Sequence, residues 1–258
     1  MINNSYPILE FDPSSKAIIN PQDLYKEKEA PTRAVICFFG NILEEMNKDG
    51  NLTLLRNIRS EMGLHPLYLY QHKGETVLLF HPGVGAPLAA AILEETIQLG
   101  ASIFIACGGC GVLDHHLDVG HPIIPTSAIR DEGTSYHYLP PSREVEPHPL
   151  AIEALKSTLD QKGLPYHLTK TWTTDGIYRE TIEKREIRIA EGCDVVEMEA
   201  SALFAVAKFR NAICGQILYA GDLVHPDGWD GRKWNSRTAS RKLLLECALD
   251  AVLEINPQ

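Results

Sequence analysis

Four short segments of this 258-residue chain bring together residue types able to do chemistry. In Val195-Val196-Glu197-Met198-Glu199-Ala200-Ser201-Ala202, two carboxylates flank a methionine where an apolar strand gives way to a helix. Acids at a helix start are stabilised by the helix dipole and need no further role. The small and apolar residues around them point the other way, toward at least one carboxylate carried into the interior, where it requires hydrogen-bond partners. The vicinal hydroxyls of a ribose suit it, because one carboxylate accepts from both. A second segment, Tyr219-Ala220-Gly221-Asp222, sets an acid after a strand. A turn or cap explains such an acid, and in a cleft it is also placed to protonate a leaving base.

Two glycine-bearing segments complete the set. His81-Pro82-Gly83-Val84-Gly85-Ala86-Pro87 joins a strand to a helix, where exposed backbone N–H groups hold an anion or a hydroxyl. A tight turn that merely needs glycine reads the same way. Ala106-Cys107-Gly108-Gly109-Cys110-Gly111 ends an apolar strand, the place where ligands bind in open α/β sheets. Its Cys-x-x-Cys spacing also fits a redox or zinc motif, but His115-His116 is only a loose candidate for a second ligand pair. Neither a metal nor another cofactor is expected.

These segments need a scaffold of alternating strands and helices. Apolar runs predict strands over 34–39, 76–80, 102–107, 167–172 and 212–219. A helix is predicted over 86–99, with Pro87 in its first turn and Gly100 as its cap, and two more over 199–210 and 240–253. The alternation predicts an α/β sheet with helices on its faces. Residues 1–33, with Pro7, Pro13, Pro21 and Pro31, read as an N-terminal extended arm, and 34–258 as a single domain. The segment 225–231 is polar and rich in turn residues, and reads as a mobile flap.

Composition narrows the partners. A formal net charge of -10 argues against nucleic acid and anionic membrane surfaces, which demand a basic stripe. The start of the chain lacks a secretory pattern and no apolar run is long enough to span a bilayer, so a cytoplasmic protein is expected. Cys37, Cys107, Cys193 and Cys214 lie in or beside apolar runs, as free buried thiols do, and no structural disulfide is expected.

Taken in order, the segments resemble the nucleoside phosphorylase and nucleosidase superfamily, nearest in pattern to its uridine-phosphorylase-like branch. The likeness runs from about Ala34 to Ile255. It rests on residues 196–203, on Asp222 after its strand, and on Leu117-Asp118-Val119-Gly120 leading into residues 125–135. It implies an α/β fold, a single αβα domain with a mixed, barrel-like central sheet, assembled as homodimers or rings of dimers. It also implies that Glu199 binds the ribose 2′ and 3′ hydroxyls with Glu197 in support, that Met198 packs on the sugar, and that Asp222 assists departure of the base. Ile177 and Tyr178, with Cys107 and Gly108, would line the base pocket, and Gly40, Gly83, Gly85 and Gly109 the pocket of the nucleophile. The Gln and Arg that read uracil in uridine phosphorylases are replaced by Thr181 and Glu183, and an acid at Asp222 suits a purine-like base.

The sequence departs from that family most where phosphate would bind. The early turn reads Phe39-Gly40-Asn41-Ile42-Leu43-Glu44-Glu45, with glutamate where an arginine is expected. Ala106-Cys107-Gly108-Gly109 stands in place of an Arg-x-Gly-Thr pattern, and Leu69 in place of a partner-donated arginine. Each charge-assisted bond lost removes about 1.5–3 kcal/mol, so water becomes the favoured nucleophile, oriented by Glu44 or Glu45. Three alternatives remain: phosphorolysis with phosphate held by Arg130, Arg179 or a neighbouring subunit, a non-catalytic nucleoside-binding protein, and a Cys-x-x-Cys redox or metal protein.

Overall fold

The computed structural model describes residues 4–256. Its strands are β1 (Arg33–Cys37), β2 (Thr53–Ser60), β3 (Gly63–His72), β4 (Glu75–Phe80), β5 (Ile103–Val112), β6 (Pro122–Asp131), β7 (Glu144–Val145), β8 (His167–Thr174), β9 (Cys193–Glu197), β10 (Ile213–His225) and β11 (Gly228–Asp230). Its α-helices are α1 (Pro21–Leu24), α2 (Gly40–Lys48), α3 (Ala86–Leu99), α4 (Pro149–Gln161), α5 (Ile182–Ala190), α6 (Ala200–Phe209) and α7 (Thr238–Glu254).

Five strands close on one another into a barrel. β5 pairs with β10, β10 with β6, β6 with β8, β8 with β9, and β9 returns to β5. From β5 the sheet continues outward through β1, β4 and β3 to β2. β1 runs parallel to both of its neighbours and is buried from Ala34 to Cys37, which is why its sequence is uniformly apolar rather than alternating. Leu155 of α4 and Leu244 of α7 belong to the core on one side of the sheet, and Leu93 of α3 and Phe204 of α6 to the core on the other. Each such fully buried side chain contributes about 1.5–3 kcal/mol.

The predicted strands and helices are all present, and helix 86–99 coincides with α3, its Gly100 cap in the positive-φ conformation that favours glycine. Two strands extend past their predicted ends by five residues or more. β5 and β10 run past the glycines that looked like their ends and pair with each other from Ile103 and Ile213 as far as Val112 and Leu223, with a bulge between Ala220 and Leu223. The segment expected to be a mobile flap forms a hairpin, in which Leu223, Val224 and His225 of β10 face Asp230, Trp229 and Gly228 of β11. Ahead of β1, the Ala30 N–H donates to Leu99 O at the end of α3, so the arm is tied to the helix layer there. All six cysteines are free and buried. Among the described residues no helix is long and apolar enough to cross a membrane.

Candidate active site

The site is organised around the junction of β9 and α6. Glu197 ends β9 and is buried. The parallel register places it beside Thr173 of β8. Its Oε1 accepts from the hydroxyls of Thr173 at 2.6 Å and Thr171 at 3.2 Å, and its Oε2 from the backbone N–H groups of Glu199 at 2.7 Å and Ala200 at 2.6 Å. Burial raises its pKa while these four bonds pull it down. Every contact goes to the protein. Glu197, expected at the ribose in support of Glu199, thus has both oxygens occupied by protein donors and fixes the first turn of α6. The buried polar chain extends further: Ser201 Oγ donates to Glu132, whose other oxygen accepts from Ser135 N, and Ser135 Oγ accepts from Arg130 Nε.

Glu199, two residues on, is the N-cap residue of α6. Its Oε1 accepts from the Gly85 N–H at 2.5 Å, across from the turn before α3. Gly85 (φ 92°) and Gly83 (φ 83°) both hold positive-φ conformations, which explains the spacing of glycines in that turn. Burial, and next the charge of Glu197, push the Glu199 carboxyl up to about 8. Met198, between the two acids, is only part-buried. On the far side of the glycine turn, His81 Nδ1 accepts from the Gly83 N–H at 2.9 Å, and the ring lies against Gly40, 3.6 Å from where a Cβ would stand. Burial lowers the pKa of His81, which favours a neutral imidazole. Gly40, Gly83, Gly85 and Glu199 thus form one continuous wall.

Asp222 reaches the same region from β10. A Cβ on Gly111 would lie 2.9 Å from Val196, 3.2 Å from Val224 and 3.7 Å from Asp222 Oδ2, so glycine there is what lets β9 and β10 bring their residues together. Asp222 Oδ2 accepts from the indole N–H of Trp229 in the hairpin at 2.6 Å. A second acid, Glu180, which no motif in the sequence marks out, is pushed up to about 7 by burial and by the charge of Asp222. Two carboxylates close enough to repel raise the proton affinity of one of them, which is a way to hold a proton ready for a base.

Several expected site residues lie elsewhere. The Cys107 thiol is fully buried in the core beside Cys37, with its pKa pushed far up by burial, so it offers a base no contact. Gly108 backs onto Phe38 and Leu218, and Gly109 onto the ring of Tyr219, rather than onto an open pocket. Cys110 and Gly111, further along β5, are the residues near Asp222. Ile177 and Tyr178 are 54% and 92% exposed, so neither lines an enclosed pocket within one chain. Glu44 and Glu45 are exposed on α2, and Glu45 is engaged by Lys242 of α7 at 2.5 Å. The Arg130 guanidinium is consumed by Ser135, Ser142 and the carbonyls of Leu139 and Pro140, which removes it as a phosphate ligand. Thr181, expected in place of a uracil-reading residue, caps α5 by accepting from Lys184 N.

One cation near the wall is not apparent from the sequence. Arg241 of α7 is buried, with its guanidinium 5.6 Å from the Phe39 ring centroid and Nη1 donating to Asn41 Oδ1 at 2.7 Å, next to Gly40. Its distance in sequence from the glycine turn hides it. A surface cleft of about 330 Å³ lined by residues of α4 and α7 is no rival site, because its Asp250 is already held by Lys73, Lys162 and His72.

With fold and site in view, the chain belongs to the phosphorylase superfamily, whose sequence model matches residues 32–254. Guanosine phosphorylase of Halorubrum lacusprofundi is 29% identical over 154 residues, 59% of this chain and 64% of that protein, so the match spans just under two thirds of that relative. Uridine phosphorylase of Thermococcus kodakarensis is 28% identical over 201 residues, covering 68% of this chain and 70% of that protein. Among solved structures, purine nucleoside phosphorylase from Toxoplasma gondii superposes with a TM-score of 0.71 at 20% identity, over 87% of this chain and 91% of that one. AMP nucleosidase from Bacteroides thetaiotaomicron gives 0.68 at 21% identity, over 86% and 87%. These superpositions establish the fold alone.

Proposed function

We propose that this protein cleaves the N-glycosidic bond of a ribonucleoside with a purine-like base, and that water is its preferred nucleophile. The observation that carries the reading is the Glu197–Glu199 arrangement. One buried carboxylate is fully spent on holding the other against Gly85, beside a part-exposed methionine, which leaves Glu199 with an unspent oxygen for sugar hydroxyls. Glu199 holds its proton more tightly than an ordinary carboxyl, and hydroxyls that donate to its charged form favour release of that proton when sugar binds. Asp222, with Glu180 behind it, supplies the acid toward the base, drawing charge from the sugar as the bond breaks.

Water is favoured in this reading because Glu44 and Glu45 stand where a phosphate-binding arginine is expected after Gly40; both lie exposed on α2 and Glu45 is paired with Lys242, so neither is assigned the water. Assembly into homodimers or rings of dimers belongs to the same proposal. Exposed Leu54, Met62 and Leu64 on the β2–β3 hairpin support it, and light scattering on the native protein checks it, a monomer counting against it. The catalytic reading is tested by assaying Asp222→Asn and Glu199→Gln on a panel of purine and pyrimidine nucleosides. Loss of roughly 10²-fold or more in kcat/KM is expected for each, and full turnover by either variant overturns the assigned role.

Phosphorolysis is the second reading, and Arg241 favours it. A buried guanidinium bonded to Asn41 in the first turn of α2 puts positive charge where an anion meets unpaired helix N–H groups. Phosphate-dependent turnover that disappears in Arg241→Gln would install this reading in place of the hydrolytic one.

A further inference from the structure

Away from the nucleoside site, three potential metal ligands converge from different parts of the chain. His167 opens β8, Asp194 is the second residue of β9, and His116 lies in the loop after β5. One side-chain ligand atom from each lies within 4.8 Å of the other two. His167 Nε2 sits 2.7 Å from Asp194 Oδ2, and Thr169 Oγ1 donates to that same oxygen at 2.7 Å, which fixes the carboxylate's orientation. The His116 ring packs edge-on against His167 with centroids 5.6 Å apart. The backbone holds the group in register, because Leu113 N at the end of β5 donates to Asp194 O at 2.8 Å. His121 lies close enough that His167 adds to burial in lowering its pKa. The cluster occupies the opposite end of β8 and β9 from Thr173 and Glu197, with Asp194 three residue steps, about 10 Å of strand, from Glu197.

We propose that His116, His167 and Asp194 bind a divalent transition-metal ion of the zinc type. Two imidazoles and one carboxylate suit zinc, whereas calcium or magnesium needs an oxygen-rich shell that a single aspartate does not provide. A tetrahedral site with ligands at about 2.0–2.1 Å spaces its ligand atoms roughly 3.3 Å apart. The present separations close to that by rotation of His116, which is exposed and, besides its edge-on contact with His167, approaches only Asp114, loosely at 3.9 Å. Binding replaces the His167–Asp194 hydrogen bond with two metal bonds and leaves a fourth position to water or to His121. The ion would pin the loop of residues 113–121 to the barrel. It asks nothing of the nucleoside chemistry and stands or falls separately from it.

The test uses full-length protein stripped with chelator and titrated with Zn²⁺ by calorimetry, and with Co²⁺ by visible absorption. One equivalent of Zn²⁺ with a tetrahedral Co²⁺ spectrum is expected, together with a rise in melting temperature. His116→Ala, a change at an exposed side chain that leaves the fold intact, should weaken Zn²⁺ binding at least roughly 10-fold and abolish the rise. Asp194→Asn should do the same. Failure of wild-type protein to bind Zn²⁺ overturns the proposal, and so does equal affinity in wild type and His116→Ala, which would locate the ion elsewhere.

Discussion

Glu199 is a carboxyl whose burial has a measurable consequence for the whole protein. Its pKa is raised from about 4.5 to about 8, first by desolvation and then by Glu197. Between those values the folded chain keeps a proton that the unfolded chain has released, so the contribution of Glu199 to stability is full below about 4.5 and is lost as the pH rises to about 8. Glu180, raised to about 7, acts in the same direction. A tenfold change in proton affinity corresponds to about 1.4 kcal/mol, so the decline amounts to a few kcal/mol at most. Urea unfolding at pH 5 and pH 9 should show a loss of stability in the wild type that Glu199→Gln largely removes; equal losses in the two proteins would mean that Glu199 is not buried as a neutral acid. At this scale residue type and order single out the candidate acids but not the partners that each one faces. Glu197, Met198, Glu199 and Asp222 are readable as a set from residue type and order. That Glu197 faces four protein donors and Glu199 faces Gly85 depends on β8 and α3, whose contacts are more than twenty and one hundred residues away.

At the scale of elements, the barrel depends on β5 and β10 running alongside each other beyond their apolar stretches. Gly108, Gly109, Gly111 and Gly221 look like strand ends because glycine is unfavourable in strand interiors. They are tolerated here because neighbouring strands crowd the positions: a Cβ on Gly221 would sit 2.8 Å from Cys110 O. With β5 carried on to Val112, Cys110 and Gly111 are the residues of that strand brought to Asp222. Gly111→Ala tests the arrangement. Its methyl would press on Val196 and Val224, costing about 1–3 kcal/mol, and would displace Asp222 enough to lower kcat/KM by up to roughly 10²-fold. Thermal melting and steady-state kinetics read the two effects separately, and unchanged kinetics would show that Gly111 has no part in the site. The strands and helices with strong apolar periodicity are legible in the sequence, whereas the 225–231 hairpin is not, because its pairing partner is β10 itself and its residues are polar.

For the whole molecule, a closed barrel with helices on both faces of the sheet gathers the ends of β5, β8, β9 and β10 around one site. A net charge of -10 leaves that site without a general attraction for anions, so phosphate would have to be recruited locally, by Arg241 or a neighbouring subunit. Neither the fold nor the family decides between water and phosphate. Glu44 and Glu45, standing where the resemblance leads one to expect an arginine after Gly40, are the feature on which the proposed hydrolytic reading rests. The most direct measurement is the mass of the sugar released from purine ribonucleosides by the native protein, with and without phosphate. Free ribose formed at a phosphate-independent rate is the predicted result; ribose 1-phosphate formed only when phosphate is present would contradict it.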